Sequence, residues 1–201
     1  MAQHAQEAFT SPKGQLASAH IERPNKKGKL KVIVVVPKAE AKQAMDYIDT
    51  FWKENRPRGS KPKPVHKGYM LATDEETGEE TGEILFIFST KPVFPSGDKK
   101  IIKVFTAKAP VKEVKLNGKM IARESTGRAI GKLAIYEYDG DYGVTLYLDA
   151  ISLSTFKEYV GGVDEQDVEV DEEAEDIDLG METTDANDVE EEEQPTEKPR
   201  V

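Results

Sequence analysis

Blocks of apolar residues recur along the first 160 positions, and most have the length and β-branched content of strands. Lys29-Leu-Lys-Val-Ile-Val-Val-Val36 predicts one strand, and Gly82-Glu-Ile-Leu-Phe-Ile-Phe-Ser-Thr90 predicts a second that is apolar on both faces. Lys100-Ile-Ile-Lys-Val-Phe-Thr-Ala107 follows a Pro/Gly turn as a third. Arg128 to Tyr138 and Tyr142 to Leu153 predict two more, joined at Asp139-Gly140, a dipeptide that suits a tight hairpin because both residues tolerate positive φ. Weaker strand patterns run from Gly14 to Glu22 and from Val65 to Ala72. One block has a different period. Between about Lys38 and Glu54, Ala41, Ala44, Met45, Ile48 and Trp52 recur at the spacing of a helix with one apolar face, which puts Trp52 in the core.

Five or more short antiparallel strands with one helix among the early ones predict a mainly β fold, compatible with a small barrel such as the oligonucleotide-binding barrel. The pattern alone does not separate that barrel from a sandwich, and no internal repeat is present. The period of two also sorts the side chains. In Lys100 to Ala107 it sets Ile101, Lys103 and Phe105 on one face and Ile102, Val104 and Thr106 on the other. With Leu133 and Ile135 inward, Lys132, Ala134, Tyr136 and Tyr138 turn outward, and inward Val144, Leu146 and Leu148 leave Thr145 and Tyr147 outside. An aromatic beside a lysine on one strand face is the recurring theme.

Charge divides the chain in two. The net charge of -10 splits into residues 161-201, with 18 acidic and 2 basic groups, and residues 1-160, with 20 acidic and 26 basic groups. Every Phe, Tyr and Trp lies before residue 161. These features predict a folded domain over 1-160 and a disordered acidic tail over 161-201, with the boundary at Gly161-Gly162. Within the domain, residues 91-132 hold eleven Lys and Arg against three acids. The stretch Lys53 to Lys67 has six basic residues and one acid, and its prolines and Gly59 predict an extended, mobile loop. Acids concentrate instead in Asp74 to Glu83, read as a hairpin loop. A basic domain followed by an acidic tail points toward nucleic acid.

Most enzyme chemistries find no support. With no Cys and three His, a thiol nucleophile, a disulfide framework and a Cys-based zinc site are excluded. Gly127-Arg-Ala-Ile-Gly131-Lys132 fails as a phosphate-binding loop, having three residues between the glycines and Leu133 after the lysine. The loop Asp74 to Glu83 lacks the ligand spacing of a calcium hand. No secretory signal is evident, and the apolar run Val32 to Val36 is far short of the roughly 20 residues that span a bilayer. The expectation is a soluble intracellular protein that is not an enzyme, needs no cofactor or metal, and has no membrane partner.

Single-stranded nucleic acid suits the aromatic and basic faces, because bases stack on flat rings while Lys and Arg neutralise the backbone. Lys103, Phe105, Lys132, Tyr136 and Tyr147 are the expected contacts. Arg58, Lys61, Lys63 and Lys67 in the loop, and Lys91, Lys99 and Lys100 in the second basic stretch, are the expected walls of the groove. Tyr69 and Phe94 are further stackers, as are Phe86 and Phe88 if their strand face is the wet one.

These pieces also carry a family resemblance. Ser11-Pro-Lys-Gly14, Gly28 to Lys38 leading into a helix, Gly82-Glu-Ile-Leu-Phe-Ile-Phe88 and Gly143 to Leu153 resemble, in order, the single-stranded DNA-binding proteins of tailed bacteriophages. The resemblance covers about residues 10-160. It implies a five-stranded oligonucleotide-binding barrel that coats single-stranded DNA in phage replication, recombination and repair, in the bacterial host cytoplasm. It also implies an acidic tail that recruits phage or host replication proteins and competes with DNA for the groove, and it leaves a homodimer open. One departure stands out. Related tails often finish with an aromatic residue, whereas this chain ends Glu197-Lys-Pro-Arg-Val201, which leaves tail contact with a polymerase open. Two rival classes remain at this level: an acidic-tailed interaction module or chaperone for basic partners, and a nuclease that would need a divalent cation.

Overall fold

The computed structural model describes residues 5–74 and 76–159. The expected boundary at Gly161-Gly162 and the acidic tail over 161–201 lie outside the described residues. Eight strands and one helix follow in the order β1 (Gln6–Thr10), β2 (Gly14–His20), β3 (Leu30–Pro37), α1 (Lys38–Asn55), β4 (Tyr69–Thr73), β5 (Glu80–Thr90), β6 (Lys103–Thr106), β7 (Thr126–Tyr138) and β8 (Asp141–Thr155). The fold is mainly β with one helix, as the apolar periodicity predicts.

Five strands close on themselves. β2 pairs β3, β3 pairs β5, β5 pairs β8, β8 pairs β7, and β7 returns to β2 through Gly14↔Gly127 and Gln15↔Thr126. The ring has the expected number of strands, but the weaker pattern at Gly14 to Glu22 supplies one of them as β2, while the strand expected at Lys100 to Ala107 stays outside; β1, β4 and β6 are added at the edges on β7, β5 and β8. Closure decides which face is core. Val32, Val34, Val36, Ile84, Phe86, Phe88, Leu133, Leu146, Leu148 and Ile151 alternate inward and are fully enclosed. Phe86 and Phe88, with 0% exposure, are therefore core and not base-stacking residues. Each contributes about 1.5–3 kcal/mol through burial. The outward residues of β5, Leu85 and Ile87, are half-buried, with Leu85 paired across the strands to Met70 of β4.

Helix α1 runs where the periodicity places it, burying Ala41, Ile48, Phe51 and Trp52, with Ala44 and Met45 partly buried against the same core. It stops at Asn55 because Arg56 precedes Pro57 and takes an extended conformation, φ -59 and ψ 138. The basic loop that follows is anchored rather than loose. Trp52 Nε1 donates to the Pro62 carbonyl at 2.9 Å, and Val65 N and Val144 N bond the backbone oxygens of Tyr142 and His66 at 3.0 and 2.8 Å.

Three further details differ from the sequence expectation. The strand expected over Lys100 to Ala107 is only Lys103–Thr106, since the residues before it belong to a small hairpin closed by the Val93↔Lys99 bridge. The pattern Val65 to Ala72 forms a strand only from Tyr69 onward. Ala134, expected outside, is 1% exposed, because β1 lies against β7 there through Gln6↔Ala134. The acidic loop is a hairpin turn as predicted. The Asp74 carboxylate accepts from Thr77 N, Thr77 Oγ1 and Glu76 N at 2.8, 3.1 and 3.0 Å, bonds that hold its pKa below the usual carboxylate value.

Candidate nucleic-acid interface

The β7–β8 hairpin builds one side of the site. Asp139 and Gly140, at φ 52 and 75, form the two-residue turn that pairs Tyr138 with Asp141 and fixes the parity of every residue behind it. Tyr136 and Tyr138 consequently emerge on the same outer face as Thr145 and Tyr147. Tyr136 lies opposite Gly143, and a Cβ at Gly143 would meet the Tyr136 ring at 2.6 Å. The missing side chain is what lets this ring lie flat across the neighbouring strand. Burial of the ring pushes the Tyr136 phenol pKa up. Lys132 is the direct cross-strand partner of Tyr147 and makes no ion pair among the described residues.

These side chains line an open groove of about 1010 Å³ on the outside of the ring. Tyr136, Tyr138 and Tyr147 meet Ile87 and Ser89 of β5, the segment Pro64 to Met70, and the cations Lys29, Lys67 and Lys91. Tyr138 and Met70 are 75% and 51% exposed, so apolar and aromatic surface faces water directly beside positive charge.

Lys67 and Tyr69 are held by Asp49 of α1. Lys67 Nζ lies 2.9 Å from the Asp49 carboxylate and 3.1 Å from the Tyr69 hydroxyl, which itself donates to Asp49 Oδ1 at 3.1 Å. Burial works against the Lys67 charge, but the hydrogen bonds and charges of Asp49 and Tyr69 outweigh it and hold its pKa above the ordinary 10.5. Burial raises the Tyr69 phenol, with the Lys67 hydrogen bond opposing. At neutral pH this corner presents an ammonium and a neutral ring, 5.3 Å from cation to centroid.

The structure does not gather every residue the sequence singles out. Lys67, Tyr69, Lys91, Tyr136 and Tyr147 line the groove, and Lys132 stands beside Tyr147. Arg58, Lys61 and Lys63 are exposed on the loop that leads into the wall at Pro64, with Lys61 paired to Asp141 at 2.7 Å. Phe94 is 46% exposed on the hairpin after Lys91. Lys100 is largely enclosed: its side chain is 12% exposed, bonded to Asp149 at 2.8 Å and Thr90 at 3.3 Å, with Nζ 5.7 Å from the Phe94 ring. Lys103 and Phe105 lie beyond that ion pair on β6, which joins β8 at Ala150–Leu153. Lys103 pairs with Glu113 at 3.5 Å and Phe105 is half-buried. Lys99, Lys100 and Lys103 border a separate cleft of about 540 Å³ with Arg23 and Lys115.

Sequence reasoning left out Tyr138, Lys29, Met70, Ile87 and Ser89 as groove residues. Tyr138 had a signal, its shared parity with Tyr136. The others reach the groove only because β3, β4 and β5 fold beside β8. Among the described residues, no cluster of His, Asp and Glu is placed to hold a metal ion, and no helix is long and apolar enough to cross a membrane.

No protein-family model and no curated protein sequence matches the chain. Solved structures do. The gp2.5 single-stranded DNA-binding protein of bacteriophage T7 matches with a TM-score of 0.53 at 19% identity, over 87% of this chain and 100% of that one. The single-stranded DNA-binding protein of bacteriophage Enc34 matches with a TM-score of 0.54 at 15% identity, over 80% of this chain and 88% of that one. The same Enc34 protein in complex with single-stranded DNA gives 0.56 at 12% identity, over 77% and 89%. At these identities the likeness is one of architecture: the chain shares the fold of phage single-stranded DNA-binding proteins.

Proposed function

We propose that this protein binds single-stranded DNA without sequence preference, the strand lying in the groove between the β7–β8 hairpin and the Pro64–Met70 segment. One observation carries the reading: Tyr136, Tyr138 and Tyr147 share one outer face and line an open groove together with Lys67, Lys91 and Lys29. Flat rings accept any base at roughly 1–3 kcal/mol each, and lysines neutralise phosphates whatever the sequence. The fold shared with the phage proteins, one of them in complex with single-stranded DNA, supports it. In this reading the protein is a binder and not an enzyme, coats DNA during phage replication, recombination and repair in the host cytoplasm, and makes a groove for a few nucleotides from residues 1–160. The tail over 161–201 competes for the groove and recruits replication proteins.

Fluorescence anisotropy of labelled oligo(dT) tests the proposal, with a duplex control and a check that the strand stays intact. Binding that prefers single strands and falls with salt at a slope near -3.5, about -0.7 for each of some five phosphates, supports it. Salt-independent binding, or shortening of the strand in a divalent cation, overturns it.

A further inference from the structure

At the end of β8 away from the groove, Leu153 to Phe156 border a second cleft, of about 320 Å³, closed on its other side by residues 106–119. Its floor is apolar: Leu116 and Leu153 are buried, Val114 is half-buried, and Phe156 is 42% exposed. Its rim is cationic, formed by Lys108, Lys115 and Lys119. Lys119 is matched by Glu158 at 2.6 Å, whereas Lys108 and Lys115 make no ion pair among the described residues. Beside the cleft, Tyr159 N donates to the Met120 carbonyl at 2.9 Å, and these two side chains are 55% and 43% exposed. A half-exposed phenylalanine over an apolar floor, with the exposed Met120 next in the chain to the rim residue Lys119, has the composition of a protein-interface centre. The unmatched lysines set the sign of what docks there.

We infer that this cleft docks an acidic segment of a partner protein, one large apolar side chain seated against Leu116, Leu153 and Phe156 and carboxylates meeting Lys108 and Lys115. The volume sits at the small end of ligand pockets, which run from about 300 Å³, and suits a single anchoring side chain. Docking here leaves the groove open. Tyr147 and Leu153 are about six residues apart on one strand, roughly 20 Å. The inference stands independently of what the groove binds.

The test is a titration of the full chain, followed by amide chemical shifts, with a synthetic peptide carrying one phenylalanine flanked on both sides by Asp and Glu. Shifts at 114–119 and 153–156 with little change at 67–69 and 145–147 are expected, as is unchanged peptide affinity when oligo(dT) is present in excess. Replacing the peptide's phenylalanine by alanine should weaken binding about tenfold, and Lys115→Glu should weaken it similarly. Shifts confined to the groove would mean that the peptide merely imitates a phosphate chain, and would overturn the inference. No shift at all, or movement of the cleft amides by oligo(dT) rather than by peptide, would overturn it too. Residues 1–161 retain the whole core, which lies between Phe9 and Leu153, and serve as the control. If the cleft amides of the full chain already differ from those of this piece, the occupant is the chain's own tail and the partner assignment fails.

Discussion

Tyr147 of β8 and Phe105 of β6 each stand on an outward strand face close to a lysine, Lys132 in one case and Lys103 in the other, yet the structure treats them differently. Around Tyr147 the lysine is unpaired among the described residues, and the ring lines an open groove with two further tyrosines. Around Phe105 the neighbouring segment folds back. Thr106 N bonds the Lys112 carbonyl and Val114 N the Val104 carbonyl at 2.9 and 2.8 Å, Glu113 bridges to Phe105, and its carboxylate takes up Lys103. The lysine and ring on β7 and β8 stay open to water, whereas those on β6 gain cover and a counter-charge from the 107–114 segment.

The strongest way to break this comparison is to remove the rings. Tyr136→Ala with Tyr147→Ala should cost about 2–6 kcal/mol of oligo(dT) affinity, from 1–3 kcal/mol for each base stack, with the salt slope unchanged. Retained affinity in anisotropy would mean the groove is not the site. Next in size, Lys91→Ala with Lys132→Ala should flatten the salt slope by about 1.4, two contacts at 0.7 each, and weaken all sequences alike.

Lys100→Ala sharpens the contrast further. Losing the bonds to Asp149 and Thr90 should lower thermal stability by about 1 kcal/mol and weaken DNA binding modestly through the Phe94 hairpin, at constant salt slope. A slope that falls by about 0.7 would instead assign Lys100 a phosphate. Lys103→Ala and Phe105→Ala are expected to change affinity by less than about twofold, since neither lines the groove; a loss comparable to the tyrosine variant would join the two regions into one site.

The smallest expected effect is that of pH. The Lys67, Tyr69 and Tyr136 pKa values are all raised from ordinary values of 10.5, 10.0 and 10.0. Lys67 therefore keeps its charge, and its pairing contributes below 10.5 and is lost only as pH rises through its raised value. Affinity should be flat between about pH 7 and about pH 9. A fall within that window would show that some other group controls binding.

Much of this molecule is local, and the local part was legible. The alternation assigns Leu133, Ile135, Val144, Leu146 and Leu148 inward and Tyr136, Tyr138, Thr145 and Tyr147 outward correctly, though not Ala134, because the strand period is two and the Asp139-Gly140 turn fixes the register. The helix is legible because its apolar stripe and the stop before Pro57 both sit within the segment. Where sequence reasoning fell short, the missing information was long-range. Nothing near Lys100 announces Asp149, 49 residues on, and nothing near Ala134 announces β1.

The sequence by itself therefore determined the long strands β3, β5, β7 and β8, the helix, the two-residue turn and the concentration of cations in residues 1–160, since each depends on near neighbours or composition, while β1 carries no such local pattern and was not legible. The tertiary structure alone decided that five strands close into a ring, that Phe86 and Phe88 lie inside it, and that Tyr136, Tyr138 and Tyr147 meet Lys67 and Lys91 while Lys103 meets Glu113. Ring closure sets which face of every strand loses water, and charge neutralisation depends on which distant segment packs alongside; neither quantity is a property of any short stretch of chain.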